Sequence, residues 1–508
     1  MLATLISGDR ERPGVELESR ARRVAGGLTA LGLVPGDVVA VLMRNDFPVV
    51  ELALGAEMSG IVGVPLNWHA GADDIGYVLR DCDARLLVAH TDLLRKVKAI
   101  VPPSCRIVEV EPPPEVRTAY RLADADCAFD VSTRYEEWLA ASPRREADPV
   151  APPYRLLYTS GTTGRPKGVR RSNADPAIGL RLAKRVRSAH GLDERPIRAL
   201  LTGPLYHSAP NVYAQNCTRV GQLLVLQPKF EAEDLLRLVD RHRLTHLHAV
   251  PTMFSRLLDL GDDVKGRYDV SSLVAVVHGA AVCPPDVKRA MIAWWGPVLL
   301  EYYAATEVGI ITASTSAEWL AHPGTVGRPP DGVEIVVVDE GQRPVEAGCS
   351  GEIFIRSEAA ALVDYHHRPE ALEELRRGEW ITLGDVGHID ADGFLWITDR
   401  KKDMVITGGV NVFPAELEAV GLRMPGVRDC VAFGVADREL GEALALAIEA
   451  HDGVVIDADA VRSVFVAELG RLRSPKVVVT VTRLPREDSG KIARRKVRQS
   501  YLDSLGDA

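Results

Sequence analysis

An α/β fold built on parallel, doubly wound sheets is what this 508-residue sequence predicts, together with a smaller unit of different character towards its C-terminal end. Three observations carry the prediction. Short apolar runs suited to buried strands alternate with stretches of helical periodicity in two long series, and such alternation implies a parallel sheet with helices on its faces. The chain is too long for one simple core, so two to four domains are expected. From about residue 324 the pattern changes to extended segments separated by Gly-rich turns, which suggests a small antiparallel or barrel-like unit.

In chain order, Leu17, Ala21, Val24, Leu28 and Leu31 recur at three- and four-residue steps and predict an amphipathic helix over 17–31. Gly32 and the Pro35-Gly36-Asp37 turn stop it. Residues 38–42 read as a buried strand, 48–59 as a helix, 61–66 as a strand, 73–81 as a helix and 86–89 as a strand. The Pro-rich segment 102–114 and the stretch 141–153 read as surface connections. A second series opens near residue 196, with strands at 223–226, 247–250 and 273–277 and a helix over 232–242. Residues 333–338 and 351–356 are the extended segments of the later unit. No repeat of solenoid period and no low-complexity tail is present.

Apolar residues make up 46% and charged residues 26%, as in ordinary soluble globular proteins, and the formal charge of −9 speaks against a nucleic-acid partner. The seven cysteines (Cys82, Cys105, Cys127, Cys217, Cys283, Cys349 and Cys430) are scattered and form no C-x-x-C pair, which fits reduced thiols in a cytoplasmic protein. Charges at Asp9, Arg10, Glu11 and Arg12 interrupt any secretory leader pattern, and no uncharged apolar run reaches about 18 residues, so no integral membrane association is expected. A homodimer is compatible with the sequence.

Five motifs carry chemistry. The run Tyr158 to Val169 (YTSGTTGRPKGV) crowds hydroxyls around Gly161 and Gly164 and adds Arg165 and Lys167, a composition suited to phosphate. It is not a Walker A loop, because Pro166 stands where the second Gly should be. Glu301 to Glu307 (EYYAATE) offers an aromatic that can stack on a purine, then a hydroxyl and a carboxylate suited to phosphate and a hard cation. Leu383-Gly384-Asp385 places a carboxylate where it can accept ribose hydroxyls. Asp399 to Glu418 reads as a charged connector, a short strand, a Gly408-Gly409 turn and a helix opening near Pro414. Leu484 to Ile492 (LPREDSGKI) carries Lys491 beside Gly490. Taken singly, each has a plain alternative: a polar loop, a core Tyr with a helix-capping Thr, a turn, a solvated linker and a solvated lysine.

Together and in this order, these runs resemble the AMP-forming adenylating superfamily of acyl-CoA synthetases, peptide-synthetase adenylation domains and beetle luciferases, over nearly the whole chain. The resemblance is nearest to bacterial fatty-acyl, bile-acid and steroid-side-chain CoA ligases. It implies a large domain over 1–400, made of two αβα subdomains and a distorted β-barrel, and a mobile α+β domain over 401–508. It implies that ATP or AMP is handled by Thr159, Ser160, Gly161, Thr162, Thr163, Gly164, Lys167, Gly279, Ala280, Ala281, Tyr302, Tyr303, Ala304, Thr306, Asp385, Ile397, Arg400 and Lys491. Within that set Tyr303 flanks adenine, Asp385 and Arg400 reach the ribose, and Lys491 stabilises the adenylation transition state. Glu307 binds Mg²⁺, Lys402 is the interdomain hinge, and Gly408 and Gly409 leave room for the pantetheine arm of CoA. Lys491, Thr306, Glu307 and His207 form the implied catalytic set. Two departures stand out: Ala304 replaces the usual Gly, and Leu383 replaces the usual Thr.

The implied reaction has two steps. A substrate carboxylate attacks the α-phosphorus of ATP and pyrophosphate leaves; the thiol of CoA then attacks the acyl-adenylate. An amino-acid-activating domain would place an Asp in the early acyl pocket, where Tyr206-His207 stands instead. A nucleotide-binding pseudoenzyme would lack one of Lys491, Glu307 or Asp385, and all three are present. The cluster His242, His246 and His248 lacks a completing ligand at metal-site spacing. Residues 204–214, 250–255, 278–284 and 302–312 would shape the acyl pocket. There the resemblance implies a fatty or bulky alicyclic or steroid-side-chain acid, with an aryl acid as the alternative.

Overall fold

The computed structural model describes residues 2–131, 133–159, 165–193, 196–486 and 492–506. It has the mixed α/β fold the sequence predicts, in two compact units. The first comprises Met1–Pro323, Pro329–Val333 and Ser357–Glu379, and the second Gly324–Arg328, Glu334–Arg356 and Trp380–Ala508.

The first unit contains two parallel-type sheets. In one, the strands Val62–Pro65, Val38–Leu42, Ala84–His90 and Arg106–Val110 lie side by side and all run parallel. Val38, Ala40, Leu42, Leu87 and Ala89 pack into one core, while Val39, Val41, Leu86 and Val88 pack into another. Both faces are covered, which is why these strands read as unbroken apolar runs. The strand Arg106–Val110 falls inside a segment whose prolines read as a surface connection. Its buried Val108 and Val110 pair with the neighbouring strand, and the flanking proline clusters hid that short signal.

The second sheet has eight strands in the order Gly309–Thr315, Leu299–Ala305, Ala275–His278, His246–Ala249, Arg198–Leu201, Leu223–Leu226, Thr4–Ser7 and Arg10–Arg12. It is parallel except at its two edge pairs. A third, antiparallel sheet joins Tyr154–Thr159, Lys167–Ser172 and Val363–Tyr365. Thr159 and Lys167 are the last described cross-strand pair of this hairpin.

In the second unit, Val333–Val338, Gly351–Ser357, Trp380–Ile389 and Leu395–Arg400 form a curled sheet, antiparallel in its Gly351–Ser357, Trp380–Ile389 and Leu395–Arg400 ladder. Beyond them, Val410–Val412, Val405–Thr407, Gly441–Ala450 and Val427–Asp437 form a sheet to which Val477–Val481 adds in parallel. Leu417, Val420 and Phe465 cover one face of it, and Leu484 and Val497 the other. Among the described residues no helix is long and apolar enough to cross a membrane.

Candidate active site

The hairpin of Tyr154–Thr159 and Lys167–Ser172 is anchored on both flanks. On the entering strand, the Tyr158 hydroxyl donates to Asp81 Oδ2 at 2.5 Å. Asp81 also accepts from the Tyr77 hydroxyl at 3.1 Å, and its backbone carbonyl meets His366 Nε2 at 3.0 Å. Burial and the Asp81 hydrogen bond push the Tyr158 hydroxyl well above its ordinary pKa, so it stays a donor. On the leaving strand, Lys167 Nζ lies 5.3 Å from the centre of the Tyr365 ring. The Tyr365 hydroxyl in turn donates to Glu307 Oε1 at 2.9 Å. Arg171, four residues along the same strand, donates to the backbone oxygen of Thr306 at 2.8 Å. Thr159, Lys167, Thr306 and Glu307 are thus tied into one network of the first unit. Ser160, Gly161, Thr162, Thr163 and Gly164 lie outside the described residues, as does Lys491.

Glu307 is half-buried, and among the described residues no cation comes within ion-pair distance of it. A half-buried carboxylate with one oxygen oriented by a hydroxyl is a fitting donor for a hard divalent cation such as Mg²⁺. Burial and the negative charge of Glu307 together raise the pKa of Tyr365, which keeps its proton on the bridge.

Tyr302, Tyr303 and Ala304 lie on the strand Leu299–Ala305, whose register with its antiparallel neighbour shifts between Tyr303 and Ala304. Such bulges re-aim side chains beside active sites. Thr306 and Glu307 occupy the turn that follows, so Thr306 caps a hairpin and not a helix. Tyr302 is only 5% exposed and its hydroxyl lies 3.0 Å from His248 Nε2. The Tyr302 backbone carbonyl borders Gly279 so closely that a Cβ there would sit 2.8 Å from it. Ala280 holds a positive φ of 71°, a conformation costly for a residue with a side chain. Gly279, Ala280, Ala281, Tyr303 and Ala304 therefore come from two adjacent strand ends.

Beneath this wall, His190, Tyr213, His248 and Tyr302 form a buried cluster of rings. Burial pulls His248 down to about 4; burial and His248 pull His190 down to about 3. Both are neutral at physiological pH. His246 is hydrogen-bonded to Thr245 and to the carbonyl of Gly191.

His207 precedes the helix Ser208–Val220 and its ring lies 4.4 Å from that of Tyr206. Tyr206 meets Trp68 edge-to-face at 6.1 Å, and Trp68 meets Tyr120 in the same way at 5.4 Å. Trp68 went unmarked in the sequence because a lone aromatic in a loop carries no periodic signal.

In the second unit, Asp385 is 4% exposed and faces Arg400 across two antiparallel strands, with Arg400 Nε donating to Asp385 Oδ1 at 3.1 Å. Ile397 pairs opposite Gly387 on the same strands. Lys402 lies exposed in the short turn Lys401–Asp403. Gly408 and Gly409, with φ of 55° and 81°, form the two-residue connection between Val405–Thr407 and Val410–Val412. Two consecutive positive φ values are the reason for two glycines in such a hairpin. A Cβ on Gly409 would still meet nothing within 4 Å.

The chain matches the family model for the AMP-binding enzyme over residues 6–363 and that for the AMP-binding enzyme C-terminal domain over 416–491. It belongs to that family, and the kind of enzyme it is within it is an AMP-forming acid–CoA ligase. It is 31% identical to a feruloyl-CoA synthase of Amycolatopsis over 494 residues, covering 96% of this chain and 93% of that protein. It is 29% identical to the long-chain-fatty-acid–CoA ligase FadD13 of Mycobacterium tuberculosis over 492 residues, covering 96% and 92%. Among solved structures, ATP-bound MatB from Rhodopseudomonas palustris superimposes with a TM-score of 0.84 at 27% identity, covering 99% of this chain and 96% of that one.

Proposed function

We propose that this ligase activates a hydrophobic carboxylic acid, fatty or bulky alicyclic, and transfers its acyl group to CoA in the cytoplasm. One observation carries the choice of acid. Across residues 204–214, 250–255, 278–284 and 302–312 the only Asp, Glu, Lys or Arg is Glu307. An amino or second carboxylate group on the acid would lose its hydration there without a partner. Ala280, Ala281, Ala304 and Ala305 keep side-chain volume small beside that path. A second reading, an aryl acid, is favoured by the aromatic surface of Trp68, Tyr206 and His207.

In this reading the hairpin residues Thr159 and Lys167, with Ser160, Gly161, Thr162, Thr163 and Gly164, hold the phosphates of ATP. Thr306 adds a hydroxyl, and Lys491 stabilises charge on the phosphoryl oxygens as the carboxylate attacks and pyrophosphate leaves. A Mg²⁺ ion held through Glu307 would neutralise phosphate charge. Tyr303 flanks the adenine, Asp385 and Arg400 hold the ribose, and Ile397 lies beside them. His207 borders the reacting carboxylate. Lys402 is the hinge, and Gly408 with Gly409 admits the pantetheine arm, whose thiol attacks the acyl carbonyl and releases AMP.

The test is AMP release from ATP over fatty, alicyclic, aryl and amino acids, with and without CoA. CoA-dependent turnover confined to fatty or alicyclic acids is the expected result. Turnover confined to aryl acids would replace the first reading with the second, and preference for an amino acid would overturn both.

A further inference from the structure

The wall that carries Gly279–Ala281 and Tyr302–Ala304 is underlain by a buried charged group. Lys288, on the helix Pro285–Trp295, has no exposed surface, and its Nζ donates to Glu301 Oε2. Glu301 is 4% exposed and immediately precedes Tyr302. His278, fully buried, immediately precedes Gly279 and is the direct cross-strand partner of Glu301. Its Nε2 lies 3.9 Å from Glu301 Oε2, and among the described residues neither ring nitrogen has a hydrogen-bond partner. Lys288 Nζ also lies 4.9 Å from the centre of the Trp319 ring.

Burial pushes the Lys288 pKa down and the Glu301 pKa up, against their mutual attraction. A pair in that setting contributes little net stability, and apolar residues of similar volume often serve as well or better. What the pair does supply is geometry. It joins the helix that follows the Gly279–Ala281 loop to the strand that enters Tyr302–Ala304. Between that helix and the strand carrying His278 lies Ala280 in its strained left-handed conformation, which persists only where surrounding structure over-determines it.

We propose that the Lys288–Glu301 pair is a positioning device for the adenylate-binding wall, holding the loop at Ala280 against the strand end at Tyr303 so that ATP meets a preformed surface. This rests on the reading of that wall as the ATP site. Neither residue touches substrate.

The test is equilibrium ATP binding by calorimetry, without acid, on the wild type and on the double variant Lys288→Met/Glu301→Leu, which removes the pair without stranding a charge. Melting temperatures and separate KM values for ATP and for the acid accompany it. The expected result is a folded double variant whose ATP affinity falls about tenfold, with the KM for the acid changed less than about twofold, since the preorganisation cost falls on the nucleotide alone. A folded double variant that binds ATP within twofold of wild type overturns the proposal, whatever its melting temperature. If the double variant does not fold, Glu301→Gln, which keeps the volume and an acceptor for Lys288, decides: a loss of about threefold in ATP affinity supports the device, and unchanged affinity overturns it. Failure of the wild type itself to bind ATP would instead overturn the reading of the wall.

Discussion

Replacing Tyr365 by Phe isolates one hydroxyl between Lys167, at the end of its hairpin strand, and Glu307. The ring that faces Lys167 stays, and the 2.9 Å hydrogen bond to Glu307 Oε1 goes. A hydrogen bond to a charged group is worth about 1.5–3 kcal/mol where water cannot replace it. Glu307 is half-buried and water can partly substitute, so about 1 kcal/mol is the working figure, or roughly fivefold in an affinity. Groups that orient a metal-ligating carboxylate typically change metal affinity by about 10- to 100-fold when removed, which sets the upper bound. The assay is acid-dependent pyrophosphate release as a function of free Mg²⁺, at saturating ATP and acid. Tyr365→Phe should need about five to ten times more Mg²⁺ for half-maximal rate. Its thioesterification of a supplied acyl-adenylate should match wild type, because that half-reaction needs no pyrophosphate handling. An unchanged Mg²⁺ dependence would refute the assignment of Glu307 as the oriented metal ligand. Equal loss in both half-reactions would mean that Tyr365 serves only the fold.

Lys491→Ala should lower acyl-adenylate formation by about 10²–10³-fold or more, yet leave CoA attack on supplied acyl-adenylate largely intact; equal loss of both half-reactions would contradict that division. If Asp385 holds the ribose as proposed, Asp385→Asn should raise the KM for ATP with the KM for the acid unchanged, as initial-rate kinetics would show. His248 and His190 are held neutral in the fold near pKa 4 and 3, below the ordinary value of 6.5. The unfolded chain therefore binds their protons first. Stability from this source is complete above pH 6.5 and declines as pH falls towards 4, by about 3 kcal/mol for His248 alone. Melting temperatures from pH 7.5 to 4.5 should fall less steeply in His248→Phe than in wild type.

The strands and helices of the first sheet were legible because a parallel sheet covered on both faces leaves continuous apolar runs such as Val38–Leu42. The short strand Arg106–Val110 was not, since prolines flank it and only its pairing with Ala84–His90 reveals it. The runs around Thr159, Thr306 and Asp385 could be marked as chemical in the sequence because hydroxyl, carboxylate and glycine types cluster within a few residues. Their supports could not. Asp81 lies 77 residues from Tyr158, Tyr365 lies 58 residues from Glu307, and nothing local marks either partner. Lys288 carries no motif and Glu301 only opens the Glu301–Glu307 run; burial of both and the contact between them show that they are a pair.

In an AMP-forming ligase of this kind one oxygen of the substrate carboxylate ends up on AMP. Turnover of an acid labelled with ¹⁸O in its carboxylate, with ATP and CoA, reads this directly by mass spectrometry of the nucleotide. The expected product is AMP carrying one ¹⁸O, with pyrophosphate unlabelled. Release of ADP and labelled phosphate, or of unlabelled AMP, would contradict it.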